Sequence, residues 1–159
     1  MSNQPPYYYE TEVEWIGGRT GSLAAPGMPD IEVAAPPEFH GPEGVWTPEH
    51  LFVASVNCCY LTTFLAIAEL SKLEFAAISC GATGTLEKVE GSGFEVTEIV
   101  LRPNLVLHHT RDAERAGRLL DKAERNCLIS KSIRTVVRLQ PRIESIESAA
   151  EIDVPIEAL

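Results

Sequence analysis

Cys59 stands in the middle of a long uncharged stretch, and Cys127 follows a second, charged stretch 68 residues later. A cysteine at a helix midpoint, far from a residue it could pair with, is either packing or chemistry. The surrounding sequence favours chemistry. Gly17-Gly18-Arg19 is a tight turn carrying a cation, and Thr47-Pro48-Glu49 is a helix start carrying a carboxylate. The chain thus offers a thiol, a fixed cation, a carboxylate and a second thiol.

A thiol reacts as the thiolate, and a free cysteine near pH 7 is mostly protonated. Burial makes this worse, because a charged sulfur loses hydration. Cys59 lies about twelve residues into its helix, and a helix dipole fades within the first turn. A reactive Cys59 therefore calls for a cation. Arg19 is the best candidate, since a tight turn can aim it inward and arginine keeps its charge when buried. A buried arginine needs an acceptor, and Glu49 is the natural one. Glu49 and Cys59 are ten residues apart, about 15 Å along a helix, so they do not touch. Either Arg19 bridges part of that gap or the carboxylate comes from a second subunit.

These residues need elements to position them. Tyr7 to Trp15 reads as a strand, with Glu10, Glu12 and Glu14 alternating with β-branched and aromatic residues, and Gly17-Gly18 breaks it. Thr20 to Ala25 and Ile31 to Ala35 are short strands, and the Pro- and Gly-rich run Pro36 to Trp46 is a loop. Thr47 is a helix N-cap, with Pro48 at the first helical position and Glu49 in the first turn. That helix is expected to run to about Leu73. Two apolar stripes share it: Leu51, Ala54, Cys58, Leu61, Leu65 and Ala68, beside Phe52, Val56, Cys59, Thr63, Ile67 and Leu70. A helix apolar on most of its circumference is central to its fold.

Ala76 to Glu90 and Phe94 to His109 are two long strands around Gly91-Ser92-Gly93, and Pro103 predicts an edge position or a bulge in the second. Thr110 is expected to cap a helix over Arg111 to Arg125, with Leu119, Leu120 and Ala123 on its apolar face. Leu128 to Ile133 is a short turn or helix, and Thr135 to Ile146 a last strand. The strands come in hairpins, which favours an α+β fold with antiparallel sheet over a doubly wound one.

A chain of 159 residues is expected to be one domain, with a core over about residues 7–146 and an acidic tail over 147–159, loose or held at an interface. The net charge of −10 argues against nucleic acid and anionic membrane surfaces, which attract clustered Lys and Arg. Leu51 to Ala68 is 18 uncharged residues, the length of a membrane span, but Ser55, Asn57, Thr62 and Thr63 make it a buried core helix by expectation. The start MSNQPPYYYETEVEW has neither a basic region nor an apolar run and does not read as a signal peptide. Four cysteines, at 58, 59, 80 and 127, are too few for a disulfide scaffold, so a reduced, cytoplasmic setting is expected.

Thr47-Pro48-Glu49-His50-Leu51-Phe52, then Cys59, then Cys127-Leu128-Ile129-Ser130 after a helix, resembles the OsmC/Ohr superfamily of osmotically inducible and organic hydroperoxide resistance proteins. Gly17-Gly18-Arg19-Thr20-Gly21 is similar to the arginine turn of the Ohr branch, and the resemblance covers about residues 7–146. It implies antiparallel sheets around two helices, one long and buried, in an intertwined homodimer. It implies a peroxidase acting on organic hydroperoxides with no metal, haem or other cofactor. Cys59 then resembles the peroxidatic cysteine and Cys127 the resolving one, while Arg19 and Glu49 resemble the residues that activate the thiolate and orient the peroxide. The implied cycle runs from a Cys59 sulfenic acid to a Cys59–Cys127 disulfide and then reduction by an external thiol. Two departures stand out. Leu128 occupies the place of the family's usual proline, which leaves the approach of Cys127 open. Asn57-Cys58 replaces residues that are usually small.

Other readings compete. Free cysteines are often inert core residues, which is the expectation for Cys58 and Cys80. Arg19 can equally be a surface turn residue, and Glu49 a carboxylate that only stabilises a helix start. His108 and His109 face opposite ways on a strand and make a poor metal pair. A zinc site of Cys58 or Cys59 with Cys127 and His50 lacks ligand spacing. Phe39, Trp46 and Phe52 either line an apolar pocket or belong to the core. The main alternative to an enzyme is a non-catalytic or redox-sensing protein of the same fold, binding a small apolar ligand in a dimer cleft.

Overall fold

The structure is a computed structural model that describes residues 5–147. The chain forms two compact units, Met1–Leu51 and Phe52–Leu159.

In the first unit, β1 (Glu12–Gly17), β2 (Thr20–Ala24) and β3 (Ile31–Ala34) form an antiparallel meander. Gly17 (φ 133°) and Gly18 (φ 54°) make the β1–β2 turn, a backbone that side-chain-bearing residues seldom adopt. The first strand starts later than the predicted Tyr7. Its ladder with β2 ends where Glu12 faces Ala24, and Pro26-Gly27 turns β2 away, so residues 7–11 lie outside that ladder. The Pro36–Trp46 loop contains a short 3-10 turn over Pro37–Phe39 and is tied back by the Ala34 N–H to the Trp46 carbonyl at 2.9 Å. Thr47 caps α1 (Pro48–Leu70) as expected: its Oγ1 accepts the His50 N–H at 3.2 Å.

In the second unit, α1 ends at Leu70, three residues before the predicted Leu73. Lys72 turns left-handed (φ 53°), and the Leu73 N–H bonds back to the Ala68 carbonyl while the Lys72 N–H reaches Glu69. That paired closure stops a helix. β4 (Phe75–Val89) and β5 (Gly93–Leu107) form a long antiparallel hairpin, followed by α2 (Ala113–Asn126), α3 (Leu128–Ser132), β6 (Val136–Leu139) and β7 (Arg142–Ser145).

The fold class is α+β, as the hairpin pattern predicts, but this sheet is mixed. β6 and β7 run parallel to β5, because α2 and α3 carry the chain back along the sheet before it re-enters. The predicted single last strand is split at Gln140-Pro141. Pro103 marks neither an edge nor a bulge. It is buried in β5 between β4 and the β6–β7 side. β6 pairs with β5 through Leu101, and β7 resumes at Asn104. Gln140 N–H donates to the Leu101 carbonyl at 2.8 Å. Pro103 presents its missing N–H on that same side two residues on, where no ladder bond is required.

The core of this unit lies between α1, β5 and α2. Ile99, Leu101, Pro103, Leu105 and Leu107 share one face of β5 and are buried. Val56, Tyr60, Phe64 and Ala68 of α1 are buried, as are Ala116, Leu120 and Ala123 of α2. Tyr60 and Phe64 belong to neither predicted stripe. The opposite face of α1 is open, with Ser55, Cys58, Thr62 and Leu65 exposed. By length and composition α1 would pass for a membrane span, and only 28% of its most apolar 18-residue window is buried. Within one chain it is therefore one-sided, not enclosed.

Thr110 does not cap α2. It opens a 3-10 turn, and its Oγ1 bonds Ser145 Oγ at 2.7 Å. Glu147 takes the Thr110 N–H at 2.9 Å and meets His109 Nδ1 at 2.6 Å. The rest of the predicted acidic tail lies outside the described residues.

Gly84 lets α1 lie close on β4: a Cβ there would stand 2.4 Å from Val53 Cγ2. Gly84→Ala is expected to cost about 1–3 kcal/mol of stability by overpacking, read as a lower urea midpoint. Adding Val53→Ala should recover part of that loss, and a double variant no better than Gly84→Ala would refute the contact.

Candidate functional site

The site is built where the middle of α1 meets the start of α3. α1 supplies Cys59, half-buried, with Thr63 one turn further on. α2 ends at Asn126, and Cys127 leaves it in an extended conformation (φ −62°, ψ 118°) before α3 begins at Leu128. Cys127 is fully buried. The Ile129 N–H donates to Cys59 Sγ at 3.5 Å. The Cys127 thiol, the Leu128 amide and the Thr63 hydroxyl lie near enough to favour a charge on that sulfur.

These contacts split the two thiols. Burial alone would push Cys59 up, but the Ile129 amide, the Cys127 thiol, the Leu128 amide and the Thr63 hydroxyl outweigh it, so its pKa falls below the ordinary thiol value. Cys127 moves the other way. Burial pushes it up, the Ser130 hydroxyl and amide only partly oppose this, and the Cys59 sulfur beside it adds to the rise. Cys127 is thus the donor and Cys59 the acceptor. The expectation that only a cation can lower Cys59 needs correction, because amide, thiol and hydroxyl donors do so.

Arg19 is exposed in the β1–β2 turn, and its Nη1 donates to the Phe39 carbonyl at 2.7 Å. Within one chain it does not pair with Glu49, so the expected pairing inside a single subunit is not formed. Glu49 stands in the first turn of α1, and its Oε2 is shielded from solvent with no hydrogen bond. The structure therefore brings Cys59 and Cys127 together and leaves Arg19 and Glu49 apart from each other.

The profile of the OsmC-like protein family matches residues 41–142, a span that contains both thiols and Glu49. The chain belongs to the OsmC-like family. It is 29% identical over 139 residues to the uncharacterized protein YmaD of Bacillus subtilis, covering 84% of this chain and 91% of that protein. Its fold is similar to that of an OsmC-like protein of unknown function from Vibrio cholerae, with a TM-score of 0.78, 24% identity, and coverage of 86% of this chain and 99% of that one. It is also similar to an organic hydroperoxide resistance protein from Legionella pneumophila (TM-score 0.70, 24% identity, 89% and 99% covered). The organic hydroperoxide resistance protein OhrB of Bacillus subtilis shares the fold as well (TM-score 0.64, 22% identity, 87% and 98% covered).

The other cysteines of this OsmC-like chain sit outside the thiol pair. Cys58 is exposed on the open face of α1, so the expectation that it packs in the core fails within one chain. Cys80 is half-buried in β4, and burial pushes its thiol up to about 11, which keeps it protonated and inert. Asn57 holds α1 to β4 by donating from Nδ2 to the Cys80 carbonyl at 2.9 Å. Among the described residues, no three of His, Cys, Asp or Glu gather as they would around a metal ion. Of the three candidate pocket aromatics, Phe52 lines a cleft of about 620 Å³ with Val89, Val96, Ile133 and Thr135. Trp46 is exposed and meets the His50 ring edge-on at 6.2 Å.

Sequence reasoning missed the Ile129 amide as the donor to Cys59, and the Leu128 amide and Thr63 as groups that lower its pKa. Backbone donors carry no residue signature, but Thr63 was open to detection, lying four residues from Cys59 on one helix face.

Iodoacetamide should alkylate Cys59 with a pH midpoint below the ordinary thiol value and Cys127 with one above it, followed by peptide mass spectrometry. Cys127→Ala removes one donor and should raise the Cys59 midpoint. An unmoved midpoint in that variant would show that the thiols are not coupled.

Proposed function

We propose that this OsmC-like chain is a thiol peroxidase that reduces organic hydroperoxides, lipid hydroperoxides among them. The observation that carries the reading is the meeting of Cys59 with the Cys127 junction at the start of α3, where the Ile129 N–H donates to the Cys59 sulfur. A lowered Cys59 gives up its proton more readily than an ordinary thiol, and a raised Cys127 holds its own more tightly. That is the division of labour a two-cysteine peroxidase requires. The names of the Legionella pneumophila and Bacillus subtilis proteins of this fold agree with it.

The Cys59 thiolate attacks the distal oxygen of ROOH. The O–O bond breaks, a Cys59 sulfenic acid forms, and RO⁻ takes a proton to leave as ROH. Cys127 sulfur then attacks Cys59 sulfur, the S–O bond breaks, and water departs as the disulfide forms. An external thiol reductant supplies the two electrons that restore both thiols. In this reading Arg19 and Glu49 orient the peroxide and hold the thiolate, as the resemblance implies. The shielded, unpaired Oε2 of Glu49 is an acceptor suited to a guanidinium. All four cysteines are free thiols, which agrees with a reducing, cytoplasmic setting.

A homodimer belongs to the same proposal. The open face of α1 is uncharged through Ser55, Cys58, Thr62 and Leu65, up to Glu69 in its last turn, and that uncharged length suits a second copy of the helix. Leu65→Glu should shift the sedimentation coefficient to that of a monomer. Wild-type protein that already sediments as a monomer would remove this part of the reading.

Reduced protein treated with a small excess of cumene hydroperoxide should form the Cys59–Cys127 disulfide within seconds, and more slowly with hydrogen peroxide. Cys59→Ser should abolish the reaction, and Cys127→Ser should stop at a sulfenic acid that dimedone traps. Arg19→Ala should lower kcat/KM by about 10²-fold, the scale of one preorganised donor. Thiols that stay reduced in excess peroxide would instead support a non-catalytic protein that binds a small apolar ligand.

A further inference from the structure

The cleft of about 620 Å³ beside Phe52 has no role in the thiol chemistry. Phe52 stands seven residues before Cys59 on α1, about 10 Å along the helix, so the cleft neighbours the thiol pair without including it. Its walls come from three places: the first turns of α1, the end of the β4–β5 hairpin, and the stretch between α3 and β6. That stretch leaves α3 extended at Ile133 (φ −118°, ψ 159°). Its ladder with β5 begins only where Val136 meets Glu98. Before that point one bond ties it to β5, the Thr135 hydroxyl to the Val96 carbonyl at 2.8 Å. The lining residues are thus held in place and the space between them stays open.

The polar side chains of the cleft decide what it can hold. Thr135 is engaged by Val96, and the Ser132 hydroxyl donates to the Leu128 carbonyl at 2.8 Å. The Thr97 hydroxyl donates to the Glu87 carboxylate, and Glu95 accepts from the Ser92 hydroxyl in the hairpin turn. Arg134 also lines the cleft. Among the described residues it has neither a hydrogen bond nor an ion pair, with Glu95 included. What remains on offer is an apolar wall and one guanidinium. A volume of this size suits a small organic molecule, with apolar area for its body and a few polar groups to orient it. A guanidinium pairs a carboxylate through two parallel hydrogen bonds. The chain carries a net charge of −10 and repels anions as a whole, so an anion is held here only by a local cation.

We propose that this cleft binds a medium-chain carboxylate, with Arg134 pairing the head and Phe52, Val96 and Ile133 packing along the chain. An uncharged apolar molecule would leave the guanidinium without a partner, and an amphipathic cation would be repelled by it. The proposal goes beyond the peroxidase reading and does not depend on it, because neither thiol takes part.

The experiment is calorimetric titration of decanoate into the reduced full chain, below the concentration at which decanoate forms micelles. One decanoate per chain should bind, and decanol, with the same tail and no charge, should bind about tenfold more weakly, the scale of one charge-assisted hydrogen-bonded pair. Arg134→Gln should weaken decanoate about tenfold and leave decanol unchanged, which separates a lost head contact from a damaged fold. Arg134→Lys should recover part of the loss, since lysine keeps the charge and not the fork. Decanoate that binds no tighter than decanol, or that Arg134→Gln leaves unaffected, would overturn the proposal. A second copy of the chain seated in the cleft would abolish binding in the wild type, and that result would overturn it equally. No peroxide enters the titration, so a chain that binds decanoate as described and leaves cumene hydroperoxide intact would refute the peroxidase reading alone.

Discussion

A sulfur anion removed from water needs hydrogen-bond donors or a cation, and here the Ile129 N–H reaches Cys59 Sγ across 70 residues of chain. The arrangement of the second unit serves that contact. α1 must lay its midpoint against the start of α3, and α3 must begin with its free amides turned to α1. Cys127, extended between α2 and α3, is the joint that allows it. The residue that turns the chain is thus also the second thiol. Its burial raises it, while the donors around Cys59 lower that one. One junction therefore sets both the geometry of the thiol pair and the difference in proton affinity between its members.

β5 is the platform on which this rests. Its buried face from Ile99 to Leu107 supports α1 and α2 together, which fixes the helices that carry the two thiols. The strand has neighbours on both sides, and yet it contains a proline. The tension resolves because β6 and β7 leave a gap at Pro103. The split at Gln140-Pro141 and the proline in β5 are one feature seen from two strands.

α1 carries a second tension. It has an apolar composition nearly all round, and yet one chain covers only the side of Val56, Tyr60, Phe64 and Ala68. A helix facing a sheet and a neighbouring helix on one side only has its remaining face turned outward. The exposure of Cys58 follows from the same geometry. Neighbours on a helix point about 100° apart, so with Cys59 turned to α3 the adjacent thiol is carried to the open face.

The sequence by itself determined the local elements and the candidate chemistry. The cap at Thr47, the turn at Gly17-Gly18, the β4–β5 hairpin and the spacing of Cys59 and Cys127 are all local or motif-borne, and local rules act on neighbouring residues. Tertiary structure decided the rest. The uniformly apolar α1 gave no periodic sign of which face is buried, so Tyr60 and Phe64 were hidden. The parallel direction of β6 and β7 depends on how α2 and α3 return the chain. The donors on Cys59 are backbone amides, which every residue but proline possesses and which no side-chain pattern marks. Only the packing of α3 against α1 selects the amide of Ile129, because a hydrogen bond is made by position and not by residue type.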